Sequence, residues 1–302
     1  MSNMTIASQV LMVRPYRALP NAASSQTNFF QSSDNSISEK ELNNLIFREF
    51  DQMVNRLLKF DVDVVVKEEP DLTSGLDAIF PNNWISFLPD ATTITYPMLV
   101  EHRRLERREE WIAEFSMGRR HIDLSYLESE ELFLEGTGSL VIDHSSKRGF
   151  ANRSPRTSEK AVRIFEEKTG YTVLVFDAVD EKGRPIYHTN VVMALVNDHA
   201  IWCTEAVGLE DDRRKLRNQF ELMGLSPIEI DYNLMRKFAA NILQVESTKG
   251  VPLIIMSYES LANLPGTIRR QLENASDILD VHIPTVERYG GGSARCMLAE
   301  VF

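Results

Sequence analysis

Five polar residues fall at near-constant spacing along the 302-residue chain: Asn82 in "FPNNW", Glu135 in "LEGTGS", His188 in "YHTN", Asn241 in "FAANIL" and Cys296 in "SARCML". The steps between them are 53, 53, 53 and 55 residues. A period of this length, kept over nearly the whole chain, marks a repeated supersecondary unit. Apolar patterning supplies the contents of the unit. Residues 8–15 read as a buried strand stopped by Pro15. Residues 39–59 place Leu42, Leu45, Ile46, Phe50, Met53 and Leu57 on one helical face, and 61–67 return as a strand. The alternation continues with strands at 93–100, 138–144, 171–178, 190–197, 200–206, 251–257 and 295–302. Helices are expected at 102–115, 158–170, 209–224 and 264–276. Ser158 and Gly170 bracket the second of these as caps. The chain is therefore of the α/β class. One arrangement is an ordinary mixed sheet with helices between strands. The other is a closed ring of five ββαβ units, which would bring Asn82, Glu135, His188 and Cys296 to one axis.

Other features narrow the class of function. With 43% hydrophobic and 25% charged residues, the composition is that of a globular protein. A net charge of -11 argues against a broad nucleic-acid surface, which needs a basic face. Nothing in the sequence reads as a membrane span or a signal peptide, so a cytoplasmic protein is expected. Two cysteines, Cys203 and Cys296, are too few for a disulfide framework or a zinc site. Residues 16–38 lack periodicity and read as one long loop, a candidate lid.

Cys296 follows "GGGS", which allows close backbone approach to a ligand. A nucleophilic thiol needs a partner for its proton, usually histidine, and the histidine needs a carboxylate to orient it. His188 and Glu135 are of those types and in phase with Cys296. Each alone would be unremarkable. Cys203, within "AIWCTEA", reads as a core thiol, and His102, His144, His199 and His282 as surface or loop residues.

Taken together, "LDAIFPNNW", "RRLERRE", "FLEGTGSLVID", "SPRT", "IYHTNVVM" and "GGGSARCMLAEVF" resemble the guanidine-modifying hydrolases. These include arginine deiminases, dimethylarginine dimethylaminohydrolases and amidinotransferases; the strongest likeness is to the citrulline hydrolase (citrulline ureidase) branch. The resemblance runs from "VLMVRP" to the end of the chain. It implies a pentein fold, the five-bladed α/β propeller, as one catalytic domain over 1–302, working without metal or organic cofactor. It implies Cys296 as nucleophile, His188 as general acid and base, and Glu135 as the carboxylate orienting His188. Asp77 would hold the substrate α-amino group, and Arg103 and Arg156 its α-carboxylate, a pairing that suits the planar guanidinium. Arg104 is an equal candidate beside Arg103. The implied partner is a small amino-acid substrate, with no nucleic acid or membrane, and self-association left open.

Deiminases and dimethylarginine hydrolases commonly have carboxylates where this chain has Asn82 and Asn83. A guanidinium offers only donors, which carboxylates accept. An amide offers donor and acceptor, which suits a ureido group. Citrulline is therefore the expected substrate, giving ornithine, ammonia and carbon dioxide. Arginine or methylarginine on the same scaffold is the alternative, as is a turn role for the two asparagines. A non-catalytic pentein binding protein is a further one, against which the presence of all three catalytic residue types speaks.

Overall fold

The structure, a computed structural model, describes residues 4–19, 22–32, 37–70 and 75–302. Its strands form five three-stranded sheets among these residues. β1 (Gln9–Arg14) lies between β15 (Ala299–Val301) and β2 (Asp63–Glu68). β3 (Ile85–Leu88), β4 (Thr92–Thr95) and β5 (Arg120–Asp123) make the second sheet. β6 (Val141–Asp143), β7 (Arg148–Asn152) and β8 (Thr172–Phe176) make the third. β9 (Met193–Val196), β10 (His199–Cys203) and β11 (Ser226–Ile230) follow, then β12 (Leu243–Glu246), β13 (Pro252–Ser257) and β14 (Asp277–Val281).

All five sheets share one rule. The central strand pairs antiparallel with one neighbour and parallel with the other. A parallel neighbour needs a crossover, and each crossover carries a helix. These are Glu39–Lys59, Glu109–Phe115, Glu159–Thr169, Glu210–Leu222, and the pair Tyr258–Asn263 and Gly266–Ala275. The first sheet is assembled from both ends of the chain, with Gln9 opposite Val301. β15 packs beside β3, β6 beside β9, and β9 beside β12.

The helix Glu39–Lys59 has the expected bounds, with Ser38 Oγ accepting from Glu41 N at its start. Leu42, Ile46, Phe50, Met53 and Leu57 are buried and join Val10 and Met12 of β1 in one apolar cluster. Leu45 is only half-buried, while Glu49 is buried on that face. The Glu49 carboxylate accepts from Thr285 N and Val286 N at 3.0 Å, which compensates its burial.

Several elements differ from the sequence expectation for a common reason. The strands expected at 138–144, 190–197 and 295–302 begin instead with helical turns, Gly136–Ser139, Thr189–Val192 and Ala294–Met297. The strand itself starts only after the turn. Asn82, in the turn Pro81–Asn83 before β3, follows the same plan. The spaced polar residues thus sit ahead of the strands, where chain direction changes and a side chain can be aimed inward. The strand expected at 93–100 ends at Thr95, two residues before Pro97. The helix expected at 102–115 is a 3₁₀ segment, Glu101–Glu106, followed by Glu109–Phe115. Side chains three apart eclipse in a 3₁₀ turn, which sets Arg103 against Glu106 at 2.7 Å.

Part of the 16–38 loop also has structure. A short helix, Ala22–Ser25, lies within it. Residues 20, 21 and 33–36 of that expected lid lie outside the described residues. No helix among the described residues is long and apolar enough to cross a membrane.

Candidate active site

The turns in front of the first strands meet. Gly136–Ser139 packs against both Pro81–Asn83 and Thr189–Val192, and Pro81–Asn83 packs against Ala294–Met297. One cleft is lined by Asp77, Asn83, Arg103, Arg156, His188 and Cys296. Residues Gly290–Gly292 supply backbone to it, and Ser24 and Asn28 line it from the covering segment. Close approach explains two glycines. A Cβ at Gly138 would stand 2.7 Å from both Asn83 Nδ2 and His188 Nδ1. A Cβ at Gly291, whose φ is +64°, would stand 2.6 Å from Asn28 Nδ2 and 2.7 Å from Gln31 N. The glycines before Cys296 thus let the covering segment lie directly on the cysteine loop.

Glu135 is fully buried and crowded by donors. His188 Nε2 is 2.8 Å from its Oε2, Arg156 Nη1 3.2 Å, Arg103 Nη1 3.8 Å, and Leu99 N donates to Oε1 at 3.2 Å. Burial pushes this carboxyl up, but Arg156, His188 and Arg103 together hold it well below the usual carboxylate range. For His188, burial dominates, and Arg156 and Arg103 add to it; its pKa falls from 6.5 to about 4 despite Glu135. Burial likewise pushes the Cys296 thiol up, with Ser293, Asn241, Arg295 and Asn190 offsetting part of the rise. At neutral pH the resting site therefore holds a thiol and a neutral imidazole. Glu135 can only accept, so Nε2 of His188 carries the ring proton and Nδ1 is the basic nitrogen.

These shifts carry a stability consequence. Between pH 6.5 and about 4 the unfolded chain binds a proton at His188 that the folded protein does not. Stability then rises with pH across this window and falls on acidification. Glu135, held low, loses its stabilising contribution in the same direction at still lower pH. Urea unfolding at pH 7 and pH 4.5 should show a loss on the order of 2–3 kcal/mol traceable to His188. The loss should shrink in His188→Asn; an equal acid loss in that variant would contradict the assignment.

Arg103, not Arg104, faces the cleft. Arg103 is 1% exposed and donates to Glu106, Asn83 Oδ1 and Asp77 O. Arg104 turns to Met98 O and Leu99 O. Glu106, buried beside Arg103, is pushed up by burial to about 7, with Arg103 opposing the rise. Asp77 accepts from Ser24 Oγ at 2.5 Å. Arg156 reaches Thr27 Oγ1 at 2.9 Å and Ser24 O at 3.0 Å, besides Glu135. The covering segment is further tied by Asn28 Nδ2 to Gly291 O, 3.1 Å, and Gln31 Nε2 to Tyr289 O, 2.9 Å. The ring of Phe30 packs against Tyr187 and Phe238.

The two asparagines form a relay. Arg103 Nη1 donates to Asn83 Oδ1 at 2.8 Å, and Asn83 Nδ2 donates to Asn82 Oδ1 at 2.9 Å. A guanidinium can only donate, so Arg103 fixes the orientation of both amides. Asn82 Nδ2, fully buried, is left without a hydrogen-bond partner among the described residues.

Cys203 is a core residue of β10, its thiol pushed up by burial to about 11. His102 and His282 are exposed and His199 is half-buried. His144 lies in the turn after β6, as a loop residue, but is half-buried there: its Nδ1 lies 2.8 Å from Tyr171 Oη, and its ring packs on Phe302. The sequence reading missed Asn190 and Asn241 as site residues. Asn241 Nδ2 lies 3.2 Å and Asn190 Nδ2 3.7 Å from Cys296 Sγ. A signal was present for both: Asn241 is in phase with Cys296, and Asn190 closes the "YHTN" run. Among the described residues no cluster of three or more His, Cys, Asp or Glu side chains could hold a metal ion.

Comparison with known proteins then places the chain. Several solved structures share its fold. The N-terminal domain of ArgZ, an arginine dihydrolase from the ornithine–ammonia cycle in Cyanobacteria, in a substrate-bound cysteine variant, superposes with TM-score 0.74 at 15% identity, covering 97% of each chain. AgrE in complex with L-arginine gives 0.73 at 18%, over 99% of this chain and 40% of AgrE. The DDAH of Pseudomonas aeruginosa, complexed with citrulline, gives 0.65 at 15%, over 98% of this chain and all of the other. The chain thus spans about 40% of full-length ArgZ or AgrE. A comparison with curated protein sequences finds no significant match. The family described as N,N dimethylarginine dimethylhydrolase, eukaryotic, matches residues 14–302. That match covers nearly the whole chain, which belongs to this family of guanidine-modifying pentein hydrolases.

Proposed function

We propose that the chain is a citrulline hydrolase that cleaves the ureido group to ornithine, ammonia and carbon dioxide. The observation that carries this reading is the unpartnered Asn82 N–H at the end of the relay from Arg103. A buried donor left unpaired costs about 1–3 kcal/mol, and a ligand acceptor would recover it. A ureido group has a carbonyl oxygen to accept that bond; a guanidinium has none. The acidic inventory agrees. Glu135 is already engaged by His188, Arg156 and Arg103, which leaves Asp77 for a substrate ammonium. A second cation at the reacting end would find no further carboxylate among the residues lining the cleft.

In this mechanism His188 Nδ1 takes the Cys296 proton, and the sulfur attacks the ureido carbon. One C–N bond breaks as His188 returns the proton to the departing nitrogen. Water, deprotonated by His188, then cleaves the sulfur–carbon bond, and the carbamate product loses carbon dioxide and releases the second nitrogen, so that ornithine and ammonia are both formed. One water is consumed overall. Glu135 holds the imidazolium formed in each half. Asp77 receives the α-amino group, and Arg103 and Arg156 the α-carboxylate. Arg156 would exchange its bonds to Thr27 and Ser24 for that carboxylate, and residues 22–32, which line the cleft through Ser24 and Asn28, act as a lid over bound substrate. Closure of the five sheets into one five-bladed propeller over 1–302 accounts for the convergence of the turns; the β15–β3, β6–β9 and β9–β12 neighbours support it.

A second reading, hydrolysis of arginine or a methylated arginine, is favoured by the family match and by the arginine-binding neighbours. Incubation with citrulline, arginine and dimethylarginine separates the two. Ornithine and ammonia should form in equal amounts from citrulline. Citrulline left intact while either guanidino substrate is consumed would establish the second reading instead.

A further inference from the structure

Two amides from neighbouring units reach the sulfur of Cys296. Asn241 Nδ2 and Oδ1 lie 3.2 and 3.4 Å from Sγ, and those of Asn190 lie 3.7 and 3.8 Å away. Neither amide is free to turn over. Asn190 Nδ2 also donates to Thr137 O at 3.2 Å, and Asn241 Nδ2 to Asn190 O at 2.9 Å. A backbone carbonyl only accepts, so each nitrogen is fixed in place, and each NH₂ keeps a second hydrogen for the sulfur. Both residues are buried, at 1% and 0% exposure. The cation in the cysteine's own turn, Arg295, is spent on Leu298 O at 2.9 Å and Glu300 at 2.8 Å. Tyr187 Oη donates to Gly291 O, and Arg103 and Arg156 stand behind Glu135 and His188. Among the described residues no cation is bonded to the sulfur.

We propose that Asn190 and Asn241 are catalytic residues that hold the sulfur anion of Cys296 once its proton has passed to His188. In the resting thiol, S–H donates to an amide oxygen, Asn241 Oδ1 being the nearer. In the anion, both NH₂ groups donate to sulfur without moving. The proton transfer breaks S–H, forms N–H on His188 and leaves the imidazolium on Glu135. The fixed amides serve both protonation states, which a fixed positive charge would not. The bonds that fix them run through backbone carbonyls of two successive units, so the cradle is a product of the repeat.

This inference rests on Cys296 as the nucleophile of the proposed reaction, yet its readout is the thiol itself. In a Cys203→Ala background, alkylation of Cys296 by iodoacetamide is followed against pH, beside citrulline turnover. Asn241→Asp is close to isosteric and sets a carboxylate against the sulfur. Alkylation at neutral pH should slow about tenfold or more, with the profile displaced to higher pH by about one unit, and Asn190→Asp should act the same way more weakly. Should either aspartate variant fail to fold, Asn241→Ser removes the amide, and slower alkylation there carries the same support. Folded variants with the parental alkylation profile would overturn the inference. A parent protein inert toward citrulline, whose variants nonetheless show the displaced profile, would sink the proposed reaction and leave the amide cradle standing.

Discussion

Cys296→Ser is expected to abolish turnover, by at least roughly 10³-fold, with the fold unchanged. The side chain is 3% exposed and its surroundings are arranged for sulfur. His188, with a pKa near 4, is a weak base. It can draw a proton from a thiol when the resulting anion is held, but far less readily from an alcohol. Serine also fits the space, so the loss would be chemical rather than structural. The control is the other thiol. Cys203→Ala removes a fully buried side chain from β10 that is not among the residues lining the cleft. It should cost about 1 kcal/mol of stability and leave turnover intact. Steady-state rates and urea midpoints on both variants decide the matter. Near-parental activity in Cys296→Ser, or a folded but inactive Cys203→Ala, would mean that the wrong cysteine has been chosen.

Choosing between the two thiols from sequence depends on the repeat. A lone cysteine, histidine or glutamate is ambiguous, but residues in phase across equivalent units share equivalent positions. Glu135 and His188, 53 residues apart, do meet at 2.8 Å, and Asn241 and Cys296, 55 apart, at 3.2 Å. The helix Glu39–Lys59 was equally legible because its apolar face repeats over five turns. Other parts left weaker traces. β5 and β14 are rim strands with several half-buried or exposed positions, so their alternation is faint. The turns Gly136–Ser139 and Thr189–Val192 are one turn long, too short to impose a helical period, and merge with the apolar strands that follow. Arg103 sits in a run of charges that reads as a solvated helix; only the 3₁₀ turn and the Glu106 partner reveal that it points inward. Asparagine is the hardest case. Asn190 and Asn241 carry no charge and asparagine is common in turns, so the phase of one and the motif of the other mark a position without disclosing a role.

The Arg103 relay makes the proposed preference for citrulline open to inversion. In the parent chain Asn83 accepts from Arg103 and must donate to Asn82, whose oxygen is thereby spent and whose buried N–H is left without a partner among the described residues; in the proposed reaction that N–H meets the ureido oxygen. Asn83→Asp breaks the sequence of polarities at one point. Both oxygens of the new carboxylate accept, one from Arg103 and the other from Asn82, so Asn82 must turn its NH₂ toward residue 83. Its oxygen then takes the place of that unpartnered N–H. The group presented changes from a donor, which a ureido oxygen needs, to an acceptor, which a guanidinium N–H needs. Asn82→Asp reaches the same end directly, with a negative charge added. Either change should move the ratio of kcat/KM for citrulline over arginine toward arginine by about 10- to 100-fold, corresponding to roughly 1–3 kcal/mol. The ratio is the quantity to follow, because a new carboxylate beside Glu135 and Asp77 can lower activity on both substrates. The double variant should exceed neither single change by much, since both act on one group. If the ratio stays at its parental value in folded, active variants, the amides serve only to seat Arg103, and the selection of a ureido group lies elsewhere in the cleft.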